Sequence, residues 1–126
     1  MRILGIDYGG KRIGVAISDE ARQFALPVSV VGNTSLALDE VIKIATDFDT
    51  REMVMGESRD YQGKANTILL ESLEFKNNLE KKGYIVHLEP EFMTSVAAER
   101  FQGKNEFHDA SAAALILQSY LDKKRA

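Results

Sequence analysis

The sequence predicts an α/β protein with a mixed five-stranded sheet and helices on both of its faces. Three strand-like stretches open the chain in succession, and helical and strand patterns alternate after them, in the order βββαβαβαα. Strands joined by hairpins pair antiparallel, whereas strands joined through a helix pair parallel. Both kinds of pairing are therefore expected in one sheet, with the crossover helices covering it.

The first two strands form a predicted hairpin over residues 1–19, MRILGIDYGGKRIGVAISD. Residues 3–6 are an apolar run, and Gly9 and Gly10 supply the backbone freedom that a tight turn requires. The returning strand alternates apolar residues with smaller ones, the apolar positions being Ile13, Val15 and Ile17.

A third strand is predicted over residues 23–31, with Pro27 placing it toward a sheet edge because proline donates no ladder hydrogen bond. Residues 32–35, GNTS, end that strand. Helical spacing then begins at position 38, with apolar residues at Leu38, Val41, Ile42, Ala45 and Phe48.

The rest of the chain alternates between the two patterns. Gly83 provides a stop for the second helix, and residues 57–66 are polar enough to be a functional loop. The predicted elements are a strand over 51–56, a helix over about 65–82, a strand over 84–88, and helices over 94–101 and 109–122.

Length and composition limit the class of protein. A chain of 126 residues predicts one domain over residues 1–126. The absence of cysteine excludes disulfides and thiolate metal sites. No apolar run approaches the roughly 20 residues that cross a bilayer, and no signal-peptide pattern is present, so we expect a cytoplasmic protein with no membrane partner. With a formal charge of −3, binding to a polyanion would require a local cluster of cations or a metal.

Acidic residues recur where predicted strands end. Asp7 interrupts the end of the first strand, Glu57 follows the fourth, Glu89 and Glu91 follow the fifth, and Asp109 opens the last helix. Carboxyl ends of parallel strands meet at one edge of a sheet, where binding sites collect. A carboxylate beside a buried strand must be paired, hydrogen-bonded or bound to a cation. Local chemistry alone leaves two other interpretations open, a turn aspartate at Asp7 and a solvated loop residue at Glu57.

Three segments in the same order carry a resemblance to a known family. They are GIDYGGKRIGVAISD at 5–19, EFMTSVAAER at 91–100 and DASAAALILQSYLD at 109–122. Together they resemble the YqgF/RuvX family of RNase H-like proteins, whose members are described as Holliday junction resolvases and as nucleases of pre-16S rRNA. The resemblance covers essentially the whole chain.

The resemblance implies an RNase H-like fold and a metal-dependent endonuclease that hydrolyses phosphodiester bonds in pre-16S rRNA or branched DNA. Asp7, Glu91 and Asp109 would be its catalytic acids and the ligands of two Mg²⁺ or Mn²⁺ ions, which favour hard oxygen donors. Because related RuvC resolvases have a catalytic glutamate near the end of the fourth strand, Glu57 is a candidate fourth ligand or a substitute for Glu91.

This chain also departs from the family pattern. Pro90 stands where the family has an aspartate, and Phe92 where it has an arginine. These changes motivate an alternative, a non-catalytic nucleic-acid-binding or regulatory domain of the same fold. A less favoured alternative is half of an ATP site, because the Asp-x-Gly-Gly-Lys turn also resembles the phosphate-binding turn of actin-like ATPases.

Substrate contacts are expected from cations beside these acids. If they converge they form a basic groove for structured RNA or branched DNA, and otherwise each is a solvated surface charge. A homodimer is a further possibility for an enzyme that cuts two strands symmetrically. The candidate contact residues are Lys11, Arg12, Arg59, Lys64, Arg100 and Lys104.

Overall fold

A computed structural model describes residues 1–58, 67–91 and 106–125. These ranges contain five strands and three helices, and the helix predicted over 94–101 lies outside them. Within the described ranges, no helix combines the length and apolar character that a bilayer crossing demands. The elements are β1 (Leu4–Tyr8), β2 (Arg12–Ser18), β3 (Ala25–Gly32), α1 (Ala37–Asp47), β4 (Glu52–Ser58), α2 (Thr67–Lys81), β5 (Ile85–Glu91) and α3 (Glu106–Arg125).

The strands form one sheet in the order β3-β2-β1-β4-β5. β1 pairs antiparallel with β2, and β2 with β3, whereas β4 lies parallel to both β1 and β5. The predicted mixed sheet is therefore confirmed. β3 is an edge strand, as Pro27 indicated, and its pairing with β2 shifts register between Val15 and Ala16.

Each face of the sheet is covered by its own apolar layer. Leu4 and Ile6 of β1 belong to the layer beneath α1 and α2, whereas Ile3, immediately before β1, belongs to the layer beneath α3. This is the period-2 alternation of a strand that is buried on both sides. The α3 layer consists of Ile3, Ala16, Val54, Ala113, Ile116, Leu117, Tyr120 and Leu121.

Helix α3 packs directly on β1 at Gly5. A Cβ atom built on Gly5 would lie 2.8 Å from the Leu117 Cβ and 3.0 Å from the Ala113 carbonyl oxygen. Both distances leave no room for a side chain, so glycine is what allows the helix and the strand to come this close.

Several boundaries differ from the predictions, and three of them bear on the candidate acids. The fifth strand is predicted over 84–88, but β5 extends through Glu91 by parallel pairing with β4, so Glu89 and Glu91 lie within the strand rather than after it. The polar loop is predicted to begin at Glu57, but β4 continues through Ser58, because Glu57 and Ser58 pair with Pro90 and Glu91 of β5. Parallel pairing with β5 satisfies the backbone N–H and C=O groups of these residues, although their polar side chains do not predict a strand. The last helix begins at Glu106, so Asp109 lies in its first turn rather than at its start.

An ionic cluster ties the chain start to the amino-terminal ends of β4 and β5. Arg22 donates through Nε to the Met1 carbonyl at 2.7 Å and through Nη2 to Glu52 at 2.8 Å. The second Glu52 oxygen lies 2.7 Å from His87 Nε2, and the His87 ring stacks on Tyr120 with centroids 5.3 Å apart. Arg22 adopts a left-handed backbone with φ of 57°, an uncommon conformation for a side chain-bearing residue.

We predict that Gly5→Ala destabilises the fold by roughly 1–3 kcal/mol, the usual cost of overpacking a core. Urea unfolding of the variant measures this loss. Gly32→Ala is the matched control, because its Cβ would meet nothing closer than Thr34 Cγ2 at 3.8 Å, an ordinary contact. Equal stabilities for the two variants would contradict the close approach of α3 to β1.

We also predict a pH-dependent contribution from Glu52. Burial raises the pKa of this carboxyl, but its hydrogen bonds to Arg22 and His87 outweigh burial and leave the pKa lowered. A lowered folded pKa gives stability that is present above the unfolded pKa and lost as pH falls through the folded pKa. Glu52→Gln should therefore cost roughly 1–2 kcal/mol at neutral pH, a loss that fades in acid.

Urea unfolding of wild type and Glu52→Gln at about pH 6 and about pH 3 checks this expectation. Glu80→Gln serves as the control, because Glu80 forms an exposed pair with Lys76 at 3.1 Å on α2 and should contribute little at either pH. A difference between wild type and Glu52→Gln that is the same at both pH values would contradict the assignment.

Candidate active site

Helix α3 runs from the carboxyl edge of the parallel strands toward their amino-terminal edge. Its middle, at Ala113 and Leu117, lies over Gly5 of β1. Near its end, Leu121 and Lys124 line the same pocket as Glu52, the first residue of β4. The first turn of α3 is therefore directed to the edge where β1, β4 and β5 end.

Asp7 lies at this edge, on the α3 face of the sheet. It is two positions beyond Gly5, and side chains two apart on a strand share a face. On the β2 side its partner is Gly14, and on the β4 side the pairing of Ile6 with Met55 puts Asp7 level with Gly56. Asp7 is half-buried and the two glycines are buried. No side chain from these neighbouring positions therefore crowds its carboxylate on that face.

Glu57 belongs to the opposite face by the same alternation. Met53 and Met55 are buried in the layer beneath α1 and α2, and Glu57 follows them at the next position of that face. It is level with Tyr8, whose ring packs on Phe75 of α2 with centroids 5.3 Å apart. Strand alternation thus places Glu57 and Asp7 on opposite faces, although both are the penultimate residues of neighbouring strands.

Glu91 and Asp109 are described by backbone position only, and their side chains lie outside what the structure describes. Glu91 ends β5, opposite Ser58, and is two and four positions beyond Glu89 and His87. His87 stacks on Tyr120 of α3, so position 91 belongs to the α3 face. Position 109 is one helical turn before Ala113, on the side of α3 that meets β1.

The turn between β1 and β2 is held from the loop after β3. The Asn33 side-chain amide donates to the Gly9 carbonyl at 2.7 Å, and its backbone N–H donates to the Lys11 carbonyl at 2.9 Å. From the sequence alone, Asn33 indicates only the end of a strand. In the structure it braces the turn that follows Asp7, a contact over 24 residues that no local pattern signals.

Two of the six candidate cations can be placed. Lys11 is exposed in the braced turn and Arg12 opens β2 half-buried, so both lie near Asp7 along the chain. Their position at the carboxyl edge agrees with a role in phosphate contact. Arg59, Lys64, Arg100 and Lys104 lie outside the described residues.

The donor chemistry of the three acidic positions suits a hard divalent cation. Carboxylate oxygens are the ligands that Mg²⁺ and Mn²⁺ favour, with water and substrate phosphate completing the coordination. Among the side chains that the structure describes, no group of three His, Asp or Glu residues is arranged to hold a metal ion. Asp7 is the one member of the predicted trio whose side chain is among them.

One family model and two known proteins match this chain over almost its whole length. Residues 1–123 match the family model described as "RuvX: Holliday junction resolvase". A "Putative pre-16S rRNA nuclease" of Endomicrobium trichonymphae is 36% identical over 138 residues, covering 96% of this chain and 95% of that protein. A protein of the same name from Oceanobacillus iheyensis is 32% identical over 137 residues, covering 98% of this chain and 100% of that protein.

Solved structures agree in fold. Thermus thermophilus RuvC superposes with a TM-score of 0.63 at 16% identity, covering 99% of this chain and 96% of RuvC. The fowlpox virus Holliday junction resolvase gives 0.62 at 16% identity, covering 98% of this chain and 99% of the resolvase. These likenesses confirm the RNase H-like fold. Because the family model spans nearly the whole sequence and the two relatives exceed 30% identity over almost all of it, the chain belongs to the RuvX family.

Proposed function

We propose that this protein is a metal-dependent endonuclease, one domain of residues 1–126, that hydrolyses phosphodiester bonds at the carboxyl edge of its parallel strands. The observation that carries the proposal is the shared face of Asp7, Glu91 and Asp109. Two of these positions lie within the last two residues of their strands and on one face of the sheet, and the third lies in the first turn of the helix that covers that face. Membership of the RuvX family supports the same conclusion.

The residues of the chain would hold the reacting groups in place. Asp7, Glu91 and Asp109 supply oxygen ligands for Mg²⁺ or Mn²⁺. When bound, a pair of such ions activates water and stabilises the departing oxygen of the cleaved bond. Gly14 and Gly56 beside Asp7 leave space on the sheet for a phosphate to approach. Lys11 and Arg12 supply positive charge that would attract the rest of the polyanion.

Strand alternation favours Glu91 over Glu57 as the ligand that accompanies Asp7. Glu57 follows the Met53 and Met55 face, which is turned away from α3. The same argument weakens the non-catalytic alternative. Pro90 is opposite Glu57 in the β4–β5 ladder, so the aspartate that the family has at this position would also lie on the face away from Asp7. Its replacement by proline therefore takes no carboxylate from the proposed site.

Structured RNA is the substrate class we favour. The two curated relatives described above are named as pre-16S rRNA nucleases, whereas the family description names Holliday junctions. T. thermophilus RuvC has been solved with a junction substrate, and its likeness to this chain concerns fold alone. Branched DNA is therefore the second class to test. A cytoplasmic location and a homodimer stay predictions from the sequence.

Asp7→Asn should abolish cleavage, because the amide keeps the shape of the side chain but provides a much weaker metal ligand. Mutating a residue that only hydrogen-bonds to a metal ligand typically lowers metal affinity or activity by about 10–100-fold. Loss of a ligand itself should therefore lower activity at least about a hundredfold. The assay is cleavage of structured RNA, a four-way junction, duplex DNA and single-stranded DNA with Mg²⁺ or Mn²⁺.

Glu57→Gln is the matched control and should retain most of the wild-type activity. Circular dichroism of both variants should match wild type. Cleavage by Asp7→Asn at the wild-type rate would overturn the proposed site, and loss of cleavage in Glu57→Gln alone would move the ligand assignment to the other face.

A further inference from the structure

Glu89 is a buried carboxylate that the proposed chemistry does not use. It is 4% exposed, and it is the one charged residue among the buried side chains of the described ranges. Burying a carboxylate is costly unless it is paired and hydrogen-bonded. The groups that pair with the Glu89 carboxylate should therefore indicate its role in the structure.

Within the described part of the chain, Glu89 has two hydrogen-bond partners, and both belong to α3. Oε2 of Glu89 accepts a hydrogen bond from Ser119 Oγ at 2.9 Å and from Lys123 Nζ at 2.6 Å. Ser119 and Lys123 are one helical turn apart, so the two donors project from the same side of the helix. The Lys123 side chain is 59% exposed, whereas that of Glu89 is 5% exposed. The lysine thus reaches from the surface to a carboxylate fixed beneath the helix.

Glu89 also occupies a particular position relative to the proposed ligands. It is two residues before Glu91 on β5, a rise of about 7 Å along the strand. Gly5, where α3 packs closely on β1, is two residues before Asp7 on that strand. Each strand ligand thus follows, on the same face, a residue that anchors α3. Asp109 belongs to the first turn of that anchored helix.

The energetics argue against a purely stabilising role for the ion pair. Replacing a buried ion pair by apolar groups of similar volume is often neutral or stabilising, whereas its hydrogen bonds are directional. Gly5 permits close approach over β1 but does not by itself prevent α3 from sliding along its axis. The contacts of Glu89 with Ser119 and Lys123 oppose such sliding.

We infer that Glu89, with Ser119 and Lys123, is a latch that fixes the axial position of α3 over β5 and so sets the spacing between Asp109 and Glu91. Glu89 is a positioning residue and touches no reacting atom in this scheme. The inference rests on the proposed metal site. It adds to that site a long-range contact that determines how well the three acids fit a cation.

The test measures Mn²⁺ binding by calorimetry, together with thermal unfolding in metal-free buffer. Lys123→Met should weaken Mn²⁺ binding about tenfold, the lower end of the range for residues that orient ligands. Lys123→Arg keeps the ion pair and should bind Mn²⁺ nearly as wild type does. Lys124→Met is the matched control, because Lys124 lies over the Tyr120 ring at 5.5 Å and not on Glu89.

The outcomes separate the latch from the metal site. If wild type binds Mn²⁺, Asp7→Asn does not, and Lys123→Met binds with wild-type affinity, the latch is overturned while the metal site stands. A lowered melting temperature with unchanged Mn²⁺ affinity likewise overturns the latch alone. If wild type binds no Mn²⁺, the metal site fails and the latch with it. Should Lys123→Met not fold, Ser119→Ala removes one of the two hydrogen bonds and is expected to weaken Mn²⁺ binding in the same direction.

Discussion

The close packing of α3 against β1 at Gly5 is the constraint on which the rest of the arrangement depends. Because Gly5 has no Cβ, Ala113 and Leu117 of α3 can pack directly against the backbone of β1. That contact fixes which face of β1 is covered by α3, and strand alternation then determines the face of every residue that follows. Asp7 acquires its position in this way, as do Gly14 and Gly56 beside it.

The sequence pattern predicts the strands and helices well, but it does not predict to which face of the sheet each residue belongs. Hairpin glycines, helical spacing and Pro27 locate the sheet, its edge and its helices. In β4, however, Met53, Val54 and Met55 are all apolar because both faces of a central parallel strand are buried. Such a run does not indicate to which face Glu57 belongs. That information comes from the register with β1 and β5, which depends on pairing between distant segments.

Long-range polar contacts are equally invisible in the sequence. Glu89 and Lys123 are 34 residues apart, and Glu52 and His87 are 35 apart, so neither pair forms a local motif. Both pairs also bear on the charge of the molecule. The formal charge of −3 already counts Lys123 and Arg22, so their pairing with Glu89 and Glu52 leaves the sum unchanged and only fixes where part of the charge lies. An overall negative charge therefore says little about the potential near Lys11 and Arg12, where a polyanion would arrive.

The edge strand β3, one of the two at the margins of the sheet, has a consequence for assembly. β3 exposes one side of its backbone, yet Pro27 offers no N–H there, and the register shift opposite Val15 and Ala16 bends the strand. Interruptions of this kind discourage another chain from extending a sheet. A second chain is therefore hindered from extending the sheet along β3, although Phe24 and Leu26 expose apolar side chains at that edge.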